Sequence, residues 1–239
     1  MLAWLLLTGA FFFAGTSEPH VLDVPYRNQL DGSSYALANC GPAALSMALA
    51  YYGIDASPWD LRVRAMMAQH SWISDDGGYS DEYGVFVYNL ASVAEELGAH
   101  ADGLWTRDGA RLDHFHEWQL GELRREVLAN HPVIVQVEYR ALPGHTHSRS
   151  VDDHYIVVHG SYGTDFVYSD PLGFGERGPA EQIAEEDLVA AMALASAPRA
   201  GFAVVKPTSS SSSSTRARRS ACVALPVRRI GSAIASPIR

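Results

Sequence analysis

Cysteine and lysine are both scarce in this chain of 239 residues. The chain has two cysteines, Cys40 and Cys222, and Lys206 is its single lysine. Two thiols cannot supply a scaffold of several disulfides, and they are too few for a zinc site built from thiolates. Disulfide-stapled domains and zinc fingers are therefore excluded.

Positive charge is also scarce outside the C-terminus. The whole chain has a formal net charge of −9, and residues 207–239 hold six arginines and no acidic residue. Subtracting those six positive charges from −9 leaves −15 for residues 1–206. A body with this charge repels nucleic acid, so we predict no nucleic-acid partner.

The N-terminus lacks charge altogether. From Met1 to Gly15 every residue except Thr8 is apolar or small. This run is shorter than the ~20 residues that span a bilayer, but it matches the core of an export signal. We therefore predict that residues 1–19 are a signal peptide or hydrophobic segment and that the protein is exported, extracellular or attached to the cell envelope. Because the first basic residue is Arg27, a hydrophobic N-terminus that is buried or rests on a membrane remains an alternative.

The C-terminus has the composition of a flexible tail. An unbroken serine run, Ser209 to Ser214, is followed by arginine-rich sequence with little hydrophobic periodicity. We predict a disordered tail over 207–239, which can make weak contact with an anionic surface. This leaves residues 20–206 as one folded domain, in keeping with ~150 residues per domain.

Within this domain the hydrophobic pattern changes from helical to strand-like near His131. Helix signals come first and β-branched runs come second, which predicts an α+β fold with two lobes and a cleft between them. The predicted helices lie between Asn39 and Gly53 and over Ser57–Gln69, Phe86–Leu97, Glu117–Ala129 and Glu186–Leu194, and the predicted strands are Pro132–Tyr139, Tyr155–His159, Asp165–Ser169 and Gly201–Val205.

Cys40 stands at the predicted start of the first helix. Asn39 is the expected N-cap, and Pro42 suits the first turn. Free backbone N–H groups and the helix dipole stabilise a thiolate at such a position, so we expect a lowered thiol pKa. Gly41 is expected to leave room for a substrate backbone. The alternatives are a buried structural thiol and a disulfide with Cys222.

A predicted β-hairpin supplies a base for this thiol. If Gly160–Thr164 forms a five-residue loop, His159 faces Asp165, and His154 lies directly opposite Asp170. Asp170 then accepts a hydrogen bond from one ring nitrogen of His154 and holds the other toward a nucleophile, as in a catalytic triad. The alternative is an ordinary pair of surface side chains.

Five segments, in order along the chain, form a family pattern. They are Val24–Gln29, Asn39–Pro42 with the helix that ends at Tyr51-Tyr52-Gly53, His131–Val135, His154–Val158 and Tyr168–Pro171. These segments resemble the peptidase C39-like cysteine peptidases, which are related to bacteriocin-processing double-glycine peptidases. The resemblance implies a papain-like fold with an N-terminal helical lobe and a C-terminal antiparallel β lobe, and an opening strand over Val24–Gln29.

The same resemblance implies four site residues. Cys40 is the nucleophile, His154 the general base and acid, Asp170 the orienting acid and Gln29 a side-chain donor to the oxyanion. The expected activity is hydrolysis of peptide or amide substrates through an acyl-thioester, with no metal or organic cofactor. A polar loop residue without a catalytic role is the alternative for Gln29.

Two other functions remain open. A catalytically idle papain-like module can bind peptide or cell-wall material with the same fold. A metal hydrolase is the second alternative, because several potential ligands crowd one segment. These are His145, His147, Asp152, Asp153 and His154.

Overall fold

The computed structural model describes residues 18–70, 84–107, 109, 112–148, 152–173 and 178–206. All of them belong to one unit, Met1–Pro207. The predicted tail, and all but the last two residues of the predicted signal segment, lie outside the described residues. No helix within the described ranges is long and apolar enough to cross a membrane.

The described residues form five α-helices, nine β-strands and two short 3₁₀ turns. The helices are α1 (Cys40–Tyr51), α2 (Pro58–His70), α3 (Val87–Glu96), α4 (Leu120–Leu128) and α5 (Glu185–Leu194). The strands are β1 (His20–Val21), β2 (His100–Asp102), β3 (Leu104–Trp105), β4 (His114–Phe115), β5 (Val133–Glu138), β6 (Asp153–Tyr162), β7 (Asp165–Ser169), β8 (Glu181–Ile183) and β9 (Gly201–Val205). The 3₁₀ turns are Ala36–Ala38 and Tyr139–Ala141.

One antiparallel sheet organises the fold. Its strand order is β2-β9-β5-β6-β7-β8, and β1 also pairs with β6. The long strand β6 is paired with β5 over its first half and with β1 near its end. Strands β3 and β4 form a separate two-stranded hairpin. The sheet centre is thus β5 and β6, and β6 begins next to His154.

Helices cover both faces of this sheet. Successive residues of β5 point to opposite faces, so Ile134 joins the core under α1, α2 and α3, whereas Val135 joins the core under α4 and α5. Strand β6 alternates in the same way, with Val157 on the first face and Ile156 on the second. Burial on both faces explains why these strands are almost continuously apolar.

The predicted α+β class with a helical N-terminal part and an antiparallel sheet is confirmed. Every predicted helix and strand is present with shifted ends. Helix α2 starts with the predicted capping box, in which the Ser57 hydroxyl accepts the Asp60 N–H and donates to the Asp60 carboxylate. Strands β1 to β4 and β8 carried too few residues to be predicted. The first strand is His20–Val21 rather than Val24–Gln29.

Asn39 does not cap α1, contrary to prediction. Its side chain makes no capping hydrogen bond. Instead its amide donates to Asp31, and its Oδ1 accepts from the buried Arg62 guanidinium, which also bonds the Ala38 carbonyl. Asn39 therefore fixes the chain just before α1 by long-range bonds, and not by satisfying the helix N-terminus.

The predicted hairpin register is wrong. Strand β6 continues to Tyr162, which pairs with Asp165, so the turn has two residues and not five. The pairing shifts at a bulge between Val158 and Gly160. Gly160 lies inside the strand, since an added Cβ there would lie 2.7 Å from the Val167 Cβ, and Gly163 makes the turn with φ 59°.

Candidate active site

Cys40 is the first residue of α1, and its thiol is free and buried. Helix α1 lies against β6 and α3, and Gly41 permits this approach. A Cβ on Gly41 would lie 2.7 Å from Leu90 Cδ1 and 3.1 Å from Tyr155 Cδ2. The prediction that Gly41 leaves room for a substrate backbone is therefore wrong, because neighbouring side chains fill that space. Cys222 lies outside the described residues.

His154 lies at the start of β6 and meets both of its predicted partners. Its Nε2 is 2.6 Å from Oδ1 of Asp170, and it is hydrogen-bonded to the Cys40 thiol. Because Nε2 is engaged by the carboxylate, Nδ1 is the nitrogen left for the sulfur. The ring edge of Tyr139 packs on the imidazole at a centroid distance of 4.9 Å. All three residues are buried, so the alternative of a surface histidine–aspartate pair is wrong.

The environment favours an ion pair between sulfur and imidazole. Burial raises the pKa of the Cys40 thiol, but the hydrogen bond and charge of His154, together with backbone N–H groups of Tyr155 and Gly41, lower it below its ordinary value. Burial likewise lowers the pKa of His154, but bonds to Asp170 and Cys40 outweigh it and raise that pKa to about 9. The pair can therefore hold one proton on the imidazole and a charge on the sulfur.

Asp170 follows β7 and is held from several directions. Its Oδ1 accepts the Leu172 N–H at 2.8 Å as well as the His154 bond, and its backbone N–H donates to the Gly178 carbonyl. Its carbonyl accepts the Tyr26 hydroxyl at 3.0 Å. Burial raises the pKa of the Asp170 carboxyl, yet the His154 bond and charge lower it overall. The acid therefore stays ionised beside the imidazole.

Gln29 lies near these residues in the fold but is occupied elsewhere. Its Nε2 donates to the carbonyls of Ala36 and Leu37, both at 3.1 Å, and its backbone N–H donates to the Pro171 carbonyl at 2.8 Å. The side chain thus ties the turn before Cys40 to the residue after Asp170. Both amide hydrogens are used in these bonds, so an oxyanion role requires at least one of them to be released.

Sequence reasoning missed the contact of His145 with the acid. Its Nε2 lies 3.7 Å from Oδ2 of Asp170, and its ring packs on Tyr139 at 4.5 Å between centroids. His145 follows a 3₁₀ turn in a connection between β5 and β6 without strand or helix periodicity. No sequence signal places a side chain from such a loop against one oxygen of a carboxylate.

The metal-site alternative finds no support among the described residues. Within these ranges no three His, Cys, Asp or Glu residues lie close enough together to hold a metal ion. Asp153 accepts hydrogen bonds from Gln136 and from the Ser196 backbone instead. His145 faces Asp170, as described above.

Comparisons with solved structures give the same fold. A Bacillus anthracis protein described as a C39-like peptidase is 18% identical, with a TM-score of 0.55 over 80% of this chain and 99% of its own. A double glycine motif protease from an AMS/PCAT transporter, solved in complex with its leader peptide, is 20% identical, with a TM-score of 0.48 over 79% of this chain and 94% of its own. The peptidase domain of Streptococcus ComA, a bi-functional ABC transporter, is 16% identical, with a TM-score of 0.43 over 72% and 93%.

The family assignment comes from the sequence itself. No curated protein matches the chain. The model of the Peptidase_C39 like family matches residues 21–187, which include Gln29, Cys40, His154 and Asp170. This match spans more than half of the chain and supports a peptidase-type function. The chain therefore belongs to the Peptidase_C39 like family.

Proposed function

We propose that this protein is a cysteine peptidase or amide hydrolase in which Cys40, His154 and Asp170 act as a catalytic triad. The observation that supports this proposal is the continuous hydrogen-bonded chain from sulfur to imidazole to carboxylate. Its three members come from the start of α1, the start of β6 and the end of β7. A nucleophile, a base and an orienting acid in this order are what acyl transfer requires.

The reaction begins with attack of the Cys40 thiolate on a peptide or amide carbonyl. His154, protonated in the resting pair, then gives its proton to the leaving amine as the C–N bond breaks. The product is an acyl-thioester on Cys40 and a neutral imidazole. His154 next takes a proton from water, which attacks the thioester and releases the acid. Asp170 keeps the ring oriented through both steps.

The oxyanion that forms during attack needs hydrogen-bond donors. The backbone N–H of Cys40, at the N-terminus of α1, is one candidate, since the helix leaves its first N–H groups free of helical partners. The Gln29 amide is the second. In this role Gln29 exchanges its bond to Ala36 or Leu37 for a bond to the substrate oxygen, with a shift of the turn before Cys40.

Substrate and location follow from the same proposal. The substrate is a peptide or protein, and neutral or basic peptides suit the −15 charge of residues 1–206, obtained above by subtracting six tail arginines from −9. The apolar segment 1–19 directs export, and the basic tail makes weak contacts with an anionic surface. Detection of the chain in the medium or envelope fraction, and its loss when 1–19 are deleted, tests the location.

A peptide-library experiment tests the activity. Wild-type protein and the variants Cys40→Ala and Cys222→Ala are incubated with a mixed peptide library, and products are identified by mass spectrometry. Products that need Cys40 but not Cys222 support the proposal and give the cleavage specificity. A product pattern that is the same in wild type and Cys40→Ala contradicts it.

Labelling with iodoacetamide separates the enzyme from an idle binding module. At pH 6 an ordinary thiol with a pKa near 8.5 is almost wholly protonated and reacts slowly. We expect Cys40 to react much faster than Cys222 at this pH, and we expect His154→Ala to abolish the difference. Labelling of Cys40 no faster than Cys222 favours the idle module.

A further inference from the structure

The two carboxylate oxygens of Asp170 have unequal surroundings. Oδ1 accepts from His154 at 2.6 Å and from the Leu172 N–H at 2.8 Å. Oδ2 is buried and has no hydrogen-bond partner among the described residues. An ionised oxygen that is buried without a partner costs free energy, because water can no longer solvate it. Oδ2 therefore needs a donor.

His145 supplies the nearest candidate donor. Its Nε2 is also buried without a hydrogen-bond partner in the described part of the chain, and it lies 3.7 Å from Oδ2. This distance is longer than a hydrogen bond by about half an ångström. Two complementary orphan atoms at this separation become a hydrogen-bonded pair after a small ring movement. The side chain of His145 lies in a loop, where such a movement disturbs no strand or helix.

Tyr139 joins the two histidines into one packed unit. Its ring contacts the His145 ring at 4.5 Å and the His154 ring at 4.9 Å between centroids. A cavity of about 310 Å³ borders this unit and is lined by Tyr139, His145 and His147, among others. His145 is thus the member of the unit that reaches from the loop surface to the acid, and His147 lines the same cavity without a contact to Asp170 among those described.

We propose that His145 is a positioning residue for the triad: its Nε2–H donates to Oδ2 of Asp170 and fixes the carboxylate so that Oδ1 stays on His154. The inference rests on the proposed function, since it assigns a fourth residue to the same site. His145 does not touch the substrate. It acts through Asp170, which in turn orients the imidazole that stabilises the Cys40 thiolate.

A pair of substitutions separates hydrogen bonding from packing. His145→Phe keeps a ring against Tyr139 but removes the donor, whereas His145→Gln keeps an N–H donor and loses the ring. The readout is the rate of Cys40 alkylation by iodoacetamide at pH 6, which needs no known substrate. The control is His147→Ala, in the same loop and cavity. Melting temperatures verify that the variants are folded.

We expect His145→Phe to slow Cys40 alkylation about tenfold, the loss that corresponds to one hydrogen bond to a charged group. His145→Gln should stay within about threefold of wild type, and His147→Ala should be unchanged. Equal rates for His145→Phe and wild type overturn the inference, as does a Gln variant no faster than the Phe variant. If the Phe variant does not fold, the Gln variant alone decides, since a tenfold loss there contradicts a donor role.

Failure of this inference is distinguishable from failure of the proposed function. Slow labelling of Cys40 in the wild-type protein contradicts the enzyme itself. Fast labelling in wild type that persists in His145→Phe contradicts only the role of His145. Once a substrate is known, a fall in kcat with KM unchanged gives a second test, because a positioning residue alters the chemical step and not substrate binding.

Discussion

His154 and Asp170 are 2.6 Å apart, although they are not opposite each other in the sheet. Val157 pairs with Ser169, and continuing this register places Asp170 beside Ile156, two residues beyond His154. The contact therefore runs diagonally across the hairpin. Residues two apart on a strand share a face, so the imidazole and the carboxylate still point to the same side of the sheet.

The charge of Asp170 can be separated from its hydrogen bond. Asp170→Asn keeps an acceptor oxygen for His154 but removes the charge that helps to raise the pKa of the imidazole. We expect a moderate loss of peptide cleavage, about tenfold. Asp170→Ala removes both and should lower kcat by roughly 10³- to 10⁴-fold, as the loss of an orienting acid does in other triads.

The matched control for this series is Asp165→Asn, at the other end of β7. Asp165 bonds Gln182 and has no described contact with His154. Its substitution should leave kcat unchanged. If Asp170→Asn and Asp170→Ala lower kcat equally, the carboxylate charge and not the acceptor geometry carries the effect.

The pH dependence of the site follows from the two shifted groups. The pKa of Cys40 is lowered and that of His154 is raised to about 9. Between these values the thiolate and the imidazolium coexist, so cleavage should be maximal there. As pH rises through about 9, His154 loses the proton that the leaving amine needs, and the rate should fall. As pH falls through the lowered Cys40 pKa, the thiolate is lost.

Stopped-flow or discontinuous assays of kcat/KM from pH 4 to 10 give this profile. Alkylation of Cys40 by iodoacetamide over the same range should show the acid limb alone, because it needs no proton donor. A single cleavage limb near the ordinary cysteine pKa, with labelling that follows it, means that no ion pair forms in the resting enzyme.

Much of this site was readable from the sequence, and the reasons for the exceptions are physical. Cys40 before Gly41-Pro42 marks a helix start, and long apolar runs mark β5 and β6. The pairing of His154 with Asp170 was predicted by way of a wrong register. The glycines at 160 and 163 look alike in the sequence, but Gly160 is excluded from the turn by its close contact with Val167.

Long-range bonds explain the remaining misses. Asn39 looks like an N-cap, but Asp31 and Arg62 engage its side chain instead. The position of His145 against Asp170 depends on how a loop folds back on the sheet. Neither contact leaves a periodic signal, because both join residues that are distant in the chain.

Gly41 should tolerate no side chain. A Cβ there would lie 2.7 Å from Leu90 Cδ1, so Gly41→Ala must shift α1 relative to α3 and β6. We expect a loss of about 1–3 kcal/mol in the free energy of unfolding, as for other overpacked cores. Because Cys40 is the adjacent residue, its fast alkylation at pH 6 should fall as well.

Gly121 in α4 is the control for this substitution. Nothing lies within 4 Å of an added Cβ at Gly121, and its φ is not in the left-handed region. Gly121→Ala should raise stability by roughly 0.5–1 kcal/mol through helix propensity and leave alkylation unchanged. Urea unfolding of both variants measures the effect, and equal stabilities would contradict the described packing of α1.

Gln29 has two separable roles, and its substitution tests them together. Its amide holds the carbonyls of Ala36 and Leu37 in the turn before Cys40, so Gln29→Ala should lower the melting temperature. If Gln29 also donates to the oxyanion, kcat should fall by about 10²- to 10³-fold while alkylation of Cys40, which forms no oxyanion, stays close to wild type. A parallel fall of kcat and alkylation rate assigns Gln29 to the turn alone. Gln182→Ala, which removes an exposed amide bonded to Asp165, is the control, because that bond lies far along β7 from the triad.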